Sequence, residues 1–337
     1  MKAIGFTESR SITDEQSLLE ISLDRPEPGP RDLLVKVSAV SLNPVDVKVR
    51  QRAAVQTQLA EPRILGFDAV GEVVAVGQDV SLFKVGDRVF YAGDISRPGS
   101  NAEFQLVDER IVGHKPTQLS IEEAAALPLT SLTAWEALFD RLSIQTEEGK
   151  NKTILIIGGA GGVGSIAIQL AKQVGKLNVI ATASRSETEQ WVKELGADTV
   201  VNHHQLVEDV KAQGIEQVDY IFNTADTYNH WEAMVQLIKP QGGIVGIVES
   251  KEPINLSQLQ GKSASFHWEL MFTRPMFNTL DMVQQHHILQ QISKLTDEGI
   301  IRSTLTETMN GLNVDTFKLA HQKIESGKMI GKLVVTY

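Results

Sequence analysis

The sequence predicts an α/β protein, with a doubly wound parallel sheet in the middle of the chain and a mostly-β domain built from the rest. Three observations carry this. From Thr153 to Val248, short apolar strands alternate with amphipathic helices. One of those strands, Ile154 to Ile157, runs directly into a glycine-rich turn and then a helix. The first third instead alternates apolar and polar residues with period two, broken by dense Pro and Gly. At 337 residues the chain exceeds the size at which one hydrophobic core stops growing, so two domains are expected.

In chain order, Leu34-Val35-Lys36-Val37-Ser38-Ala39 places Val35, Val37 and Ala39 on one face of a strand. Pro26, Pro28, Gly29, Pro30, Gly66, Gly71, Gly77, Gly86, Gly93 and Gly99 punctuate further strands at 70–76, 88–91 and 102–107. An antiparallel, barrel-like domain fits this pattern. Near Ser120 the pattern changes, because Ser120 with Glu123 reads as a capping box opening an Ala-rich stretch that leads through Pro128 to a helix over 132–142. Parallel strands follow at 154–157, 179–183, 218–222 and 244–248. Between the first two, Ile166, Leu170 and Val174 form one helical stripe that Gly175 terminates. Ser186 with Glu189 opens the next helix and Gly196 closes it. After Phe272, a helical pattern over 280–295 leads to a strand, Lys332 to Thr336, expected to return to the first domain. The predicted division is 1–126 with 273–337 for the mostly-β domain and 127–272 for the parallel one.

Composition removes several function classes. With 42 acidic against 32 basic residues the net charge is −10, and no basic cluster tracks a phosphate backbone, so no nucleic acid is expected as partner. No run of about 18 apolar residues exists to cross a bilayer, and the first residues carry no export signal, so a cytoplasmic protein without membrane contact is expected. The absence of cysteine excludes disulfides, thiolate catalysis and any zinc site built on sulfur.

The glycine turn Gly159-Ala160-Gly161-Gly162-Val163-Gly164 has the spacing and the strand-turn-helix context that a dinucleotide pyrophosphate requires. The first glycine permits the turn, the second lets backbone approach the phosphates, and the third lets helix and strand pack closely. The helix N-terminus then offers free N–H groups and a partial positive charge. An NAD site usually adds Asp or Glu about 20 residues on, at the end of the second strand, for the ribose hydroxyls. Here that strand ends Ala183-Ser184-Arg185-Ser186, which supplies hydroxyls and a guanidinium suited to a 2′-phosphate. NADPH is the expected cofactor. The plainer reading makes Ser186 an N-cap and Arg185 a solvated side chain.

Several ordered motifs carry a resemblance: Ser41-Leu42-Asn43-Pro44-Val45-Asp46, Gly66-Phe67-Asp68-Ala69-Val70-Gly71, Val85-Gly86-Asp87-Arg88-Val89, Leu127-Pro128-Leu129-Thr130-Ser131-Leu132-Thr133-Ala134-Trp135, the glycine turn, Phe272-Thr273-Arg274-Pro275 and Gly331-Lys332-Leu333-Val334. Over its full length the chain resembles the medium-chain dehydrogenase/reductase superfamily, in its quinone oxidoreductase branch. The resemblance implies a GroES-like catalytic domain, a Rossmann domain and a homodimer built through the Rossmann sheets. Zinc-dependent members hold their metal with two Cys and a His at positions corresponding to Asn43, Phe67 and Leu129, none of which suits zinc. The four-cysteine structural lobe is missing too. The pairs His203-His204 and His286-His287 are read as surface histidines rather than ligands.

Without a Lewis acid, and with Val45 where zinc enzymes relay a proton through a hydroxyl, the expected reaction is hydride transfer to a quinone or to the β-carbon of an enone. Asn43 is the expected hydrogen-bond donor to the developing oxyanion, and Tyr91 a candidate proton source. The resemblance puts Thr130 and Thr133 beside the nicotinamide, although both also read as helix-start packing. It puts His203 where quinone reductases often carry a Tyr over the 2′-phosphate. Asn223 and Thr224, and Ile247 and Val248, end parallel strands on the ligand edge, and Lys332 is a candidate cofactor contact or a surface lysine. His267 and Trp268 are assigned to core or dimer packing. Competing readings are a dedicated enoyl or alkenal reductase, an alcohol/aldehyde enzyme retaining metal, and a non-catalytic NADPH sensor.

Overall fold

The computed structural model describes residues 1–145 and 149–337. The chain forms two compact units, Met1–Leu132 with Phe272–Tyr337, and Thr133–Met271. The first unit begins with β1 (Lys2–Phe6), β2 (Leu19–Ser22), β3 (Asp32–Ser41), α1 (Pro44–Arg52), β4 (Arg63–Ile64), β5 (Ala69–Val76), β6 (Arg88–Tyr91), β7 (Phe104–Asp108), β8 (Val112–His114) and α2 (Ile121–Ala125). Helix α3 (Pro128–Trp135) leads into the second unit, which contains β9 (Thr153–Ile157), α4 (Gly162–Gln173), β10 (Asn178–Thr182), α5 (Ser186–Glu194), β11 (Thr199–Val201), α6 (Leu206–Ala212), β12 (Val218–Asn223), α7 (Thr227–Leu237), β13 (Ile238–Gly246) and β14 (Ser265–Trp268). The chain then returns to the first unit with α8 (Thr273–Met276), α9 (Gln284–Asp297), β15 (Leu305–Asn310), α10 (Val314–Glu325) and β16 (Lys332–Thr336).

In the first unit the main sheet runs β15-β16-β3-β5-β6-β8 with β7 on β3, and β2-β1-β4 form a small second sheet. In strand β3 Val35, Val37 and Ala39 are buried with Lys36 exposed, but Leu34 and Val40 on the other face are buried as well, so the strand is covered on both faces toward its ends. Strand β16 pairs antiparallel with β3, Val335 opposite Val40. Strand β16 thus completes a sheet begun by β3, some 290 residues earlier.

The second unit is one parallel sheet in the order β11-β10-β9-β12-β13-β14. Chain direction reverses its progress between β9 and β12, the switch point at which such sheets bind ligands beyond their carboxyl ends. All four central residues of β9, Ile154 to Ile157, are fully buried, as a strand covered on both faces requires. Leu155, Ile157, Ile180, Val218, Ile221 and Ile244 pack with Trp231, Met234 and Leu237 of α7 in one apolar cluster.

Several expectations are corrected. The first turn of α3 belongs with the first unit, because Leu129 N donates to Asp68 Oδ1 at 2.7 Å. The helix expected over 132–142 is α3 followed by a π-helical stretch at Glu136–Arg141. Strand β13 stops at Gly246, short of Ile247 and Val248, and α9 begins at Gln284 rather than Leu280. Arg185, not Ser186, is the N-cap of α5, with Thr188 Oγ1 accepting from Arg185 N at 3.1 Å.

Candidate functional site

The glycine turn of the second unit closes tightly at the end of β9. The residue in left-handed backbone is Gly158, φ +84°, one position before the predicted motif, and its N–H donates to Thr182 Oγ1 at 2.9 Å. A side chain at Gly158 would also meet Thr224 Oγ1 at 2.4 Å, so the need for glycine there is steric as well as conformational. Gly159 packs against β10, where an added Cβ would lie 3.0 Å from the Ala181 Cβ. At Gly164 an added Cβ would fall 2.3 Å from Gly158 O and 2.8 Å from Gly159 Cα, which fits the close helix–strand packing assigned to the third glycine. Gly161 is different: its nearest neighbour would be Gly158 O at 3.6 Å. Gly161 caps α4, and Ala160, Gly161, Gly162 and Val163 are all partly open, leaving their backbone accessible at a helix N-terminus.

Neighbouring strand ends lie beside this turn. Thr182 pairs with Val201, and Ala183 N donates to Val201 O at 3.0 Å, so Ser184 and Arg185 emerge next to Asn202 and His203. Ser184 is exposed, and Arg185 carries Glu187 at 3.4 Å with its side chain 41% exposed. His203 stacks at 4.0 Å on His204 and lies 6.3 Å from His230 of α7, between ring centroids. Burial holds the His203 and His230 imidazoles below the ordinary range, with neighbouring histidines adding to the effect. Asn223 is buried, its amide donating to Ala225 O and Thr227 Oγ1, both at 3.2 Å. Thr224 Oγ1 donates to Ile157 O at 2.8 Å, tying β12 to the glycine turn. Ile247 N donates to Asn223 O, and Val248 O accepts from Thr227 Oγ1, so these two residues brace the carboxyl edge beyond β13.

The first unit gathers a buried polar cluster that spacing alone did not reveal. Asn43, Asp46 and Asp68 are at most 1% exposed, and Lys332 is 4% exposed. Lys332 Nζ donates to Leu42 O at 2.9 Å, to Asp68 Oδ2 at 3.0 Å and to Asn43 Oδ1. Asn43 Nδ2 donates to Asp68 Oδ2 at 2.8 Å, with Ser41 O and Phe67 O each 3.3 Å away. Asp46 accepts from Asn43 N and Gly66 N, yet burial pushes its carboxyl up to about 7. Burial likewise raises Asp68, against the lowering pull of Lys332 and Asn43.

This cluster corrects three expectations. Asn43 is spent inward: its amide hydrogens face Asp68 and main-chain carbonyls, so it has none to offer a substrate oxyanion. Lys332 has its three ammonium hydrogens committed within the unit, so it is not a surface lysine and has no hydrogen left for a cofactor contact. Tyr91 is sealed, 1% exposed, its hydroxyl without a hydrogen-bond partner and its phenol driven far up by burial, which removes it as a proton source. Thr130 lies on α3 with its hydroxyl turned back to Leu127 O at 3.1 Å, and Thr133, one turn on, is buried. His286, expected on the surface, is buried with Nδ1 2.7 Å from Val112 O.

The same geometry tests the metal. Phe67 packs edge-on against Phe272 at 5.4 Å and Leu129 presents only carbon, so positions 43, 67 and 129 offer one engaged amide and no second donor. Among the described residues no group of three or more His, Cys, Asp or Glu side chains is placed to hold a metal ion. The residues do not fit zinc. No helix among them is long and apolar enough to cross a membrane.

Comparison with known proteins agrees with this architecture. The profile of the alcohol dehydrogenase GroES-like domain matches residues 29–117, and that of the zinc-binding dehydrogenase family matches 162–299. A zinc-type alcohol dehydrogenase-like protein of Staphylococcus epidermidis is 47% identical, over 99% of both chains. The 2-methylene-furan-3-one reductase of Solanum lycopersicum is 36% identical over 99% of this chain and 79% of its own. The crystal structure of a putative zinc-dependent alcohol dehydrogenase from Rhizobium etli superposes with a TM-score of 0.95 at 49% identity, covering 100% of this chain and 98% of that one. The parallel sheet and its glycine turn, the GroES-like unit and these likenesses together place the chain in the medium-chain dehydrogenase/reductase superfamily of oxidoreductases, among members named for zinc whose metal ligands it lacks.

Proposed function

We propose that the protein is an NADPH-dependent, zinc-independent reductase that delivers hydride to quinones or to α,β-unsaturated carbonyl compounds. The observation that carries this is the donor set at positions 43, 67 and 129: with Asn, Phe and Leu there, an alcohol has no Lewis acid to lower its pKa, whereas an activated acceptor needs none. NADPH supplies the hydride from C4 of its nicotinamide when bound. Backbone N–H groups of Gly162 and Val163, in the open first turn of α4, hold the pyrophosphate. Ser184 and Arg185 hold the 2′-phosphate, an exposed guanidinium standing where a carboxylate would repel it. Ala160, Asn223, Thr224, Ile247 and Val248 shape the carboxyl edge along which ribose and nicotinamide lie. Thr133 orients the ring, and Thr130 serves by fixing the start of α3.

The tomato relative favours the enone form of this reading, since the furanone in its name carries a C=C bond conjugated to a ketone. The outer side of β14 has no strand partner among the described residues, and pairing of two such edges gives the homodimer that accompanies this proposal. The cytoplasm is the proposed location.

Mixing the purified protein with NADPH and a panel of ortho-quinones, para-quinones and enals, while following nicotinamide absorbance, tests the proposal. Oxidation of NADPH by at least one acceptor, unaffected by chelators, is expected. Tight NADPH binding without turnover on any acceptor would identify a sensor instead, and activity lost with stoichiometric zinc would restore the metal.

A further inference from the structure

We propose that His203, His204 and His230 form a proton-loaded anion site for the 2′-phosphate, so that the protein takes up protons when it binds NADPH; this rests on the cofactor reading above. Three placements support it. His203 and His204 directly follow β11, whose last residue is paired with the end of β10, and so they stand beside Ser184 and Arg185. His230 lies in the first turn of α7, the helix that starts beyond the carboxyl end of β12. The three rings meet there, with centroids 4.0 and 6.3 Å apart, in a position no apolar packing accounts for: His204 is exposed and the other two are half-buried.

Three imidazoles this close repel one another once charged, and partial burial of His203 and His230 adds to that cost, so protonation of the empty site is disfavoured. A phosphate dianion reverses the balance, because each proton taken up then gains an opposite charge. The surrounding charges modulate this without cancelling it. Asp226, the N-cap of α7, pulls His230 upward, and Lys251 stands 3.8 Å from Asp226. Glu187 faces Arg185, and Asp209 of α6 is engaged by Asn202 N at 2.9 Å. The cluster thus adds to Arg185 a positive charge that appears only when the anion arrives. It also discriminates cofactors, since NADH brings nothing to pay for protonation.

Calorimetric titration of the intact protein with NADP⁺ and with NAD⁺ at pH 7, in two buffers of different ionisation enthalpy, reads the protons exchanged. NADP⁺ is expected to bring up to about one more proton than NAD⁺, and its Kd to weaken by up to about tenfold per unit between pH 7 and 8.5, while the NAD⁺ Kd stays flat. His203→Asn with His230→Asn is expected to abolish most of the uptake and the slope. His204→Asn, at an exposed position, provides a second reduction that carries no folding risk. Because the 2′-phosphate itself titrates near pH 6, the histidine contribution is the difference between wild type and variants. NADP⁺ preference with the same proton uptake in wild type and variants overturns the histidine site alone. Equal affinity for NAD⁺ and NADP⁺ overturns the cofactor reading and this inference with it.

Discussion

Replacing Lys332 by Met removes the ammonium of the buried cluster while keeping most of the side-chain volume. The variant leaves the Asp68 carboxylate with Asn43 Nδ2 and Leu129 N as its remaining donors, and strips Leu42 O and Asn43 Oδ1 of the donor that Lys332 supplies. Removing one partner of a buried pair costs about 3–5 kcal/mol, because the other charge stays behind without compensation. With a urea m-value of about 2 kcal/mol/M, the unfolding midpoint of the first unit falls by about 2 M. Trp135, Trp191, Trp231 and Trp268, the chain's four tryptophans, all belong to Thr133–Met271, so tryptophan fluorescence follows the second unit while far-UV circular dichroism follows both. The expected result is an early dichroism transition with the fluorescence transition little changed. Adding Asp68→Asn in the same chain removes the stranded charge and recovers a large part of the loss. The deficit also shrinks as pH falls, because burial raises the Asp68 carboxyl and the variant lacks the cation that opposes this. A midpoint within about 0.5 M of wild type, or effects of the two substitutions that simply add, would refute the reasoning.

Further expectations concern the second unit. Arg185→Ala raises the KM for NADPH by about tenfold and leaves that for NADH nearly unchanged in steady-state assays; an equal effect on both sinks the 2′-phosphate assignment. Gly164→Ala forces the Gly158 carbonyl away from 2.3 Å and abolishes dinucleotide binding together with fluorescence-detected stability, whereas Gly161→Ala has room and weakens binding alone. Glu269, buried beside Glu136 and Arg141, is pushed up to about 9 by burial and by the Glu136 charge. Its native form therefore keeps a proton that the unfolded chain gives up above the usual 4.5, so stability falls as pH rises through that window, by up to about 1.4 kcal/mol per unit. Glu269→Gln flattens the decline in urea midpoints measured from pH 5 to 9; a decline of unchanged slope counts against the shared proton.

What the sequence makes legible is what is local. Strand β9, its glycine turn and the stripe Ile166-Leu170 lie within about twenty residues of each other, and spacing alone identifies the unit they form. The left-handed residue escapes this reading, since the motif counts glycines from 159 and the turn begins at Gly158. Helix α10 and strand β15 pass unnoticed, and β15 has a physical reason for it: half-buried positions alternate with exposed ones throughout, with few apolar residues to mark a face. The polar cluster of the first unit is illegible for a different reason. Asn43 and Lys332 read as site residues because both are polar and both stand in motifs, but only the fold brings them together, across 289 positions, and turns their hydrogen bonds inward. His230 shows no sign in sequence of belonging with His203, from which α6 and β12 separate it.

The pairing of β16 with β3 sets an order on synthesis. Asp68 is made early and buried deep, yet the cation that neutralises it is translated 264 residues later. At about 5–20 residues per second, that is some tens of seconds during which the first unit has a strand position open beside β3. The nascent amino-terminal segment therefore waits as an incomplete sheet with an exposed edge, open to chaperones and to mispairing, until synthesis reaches β16, delivers Lys332 and closes it.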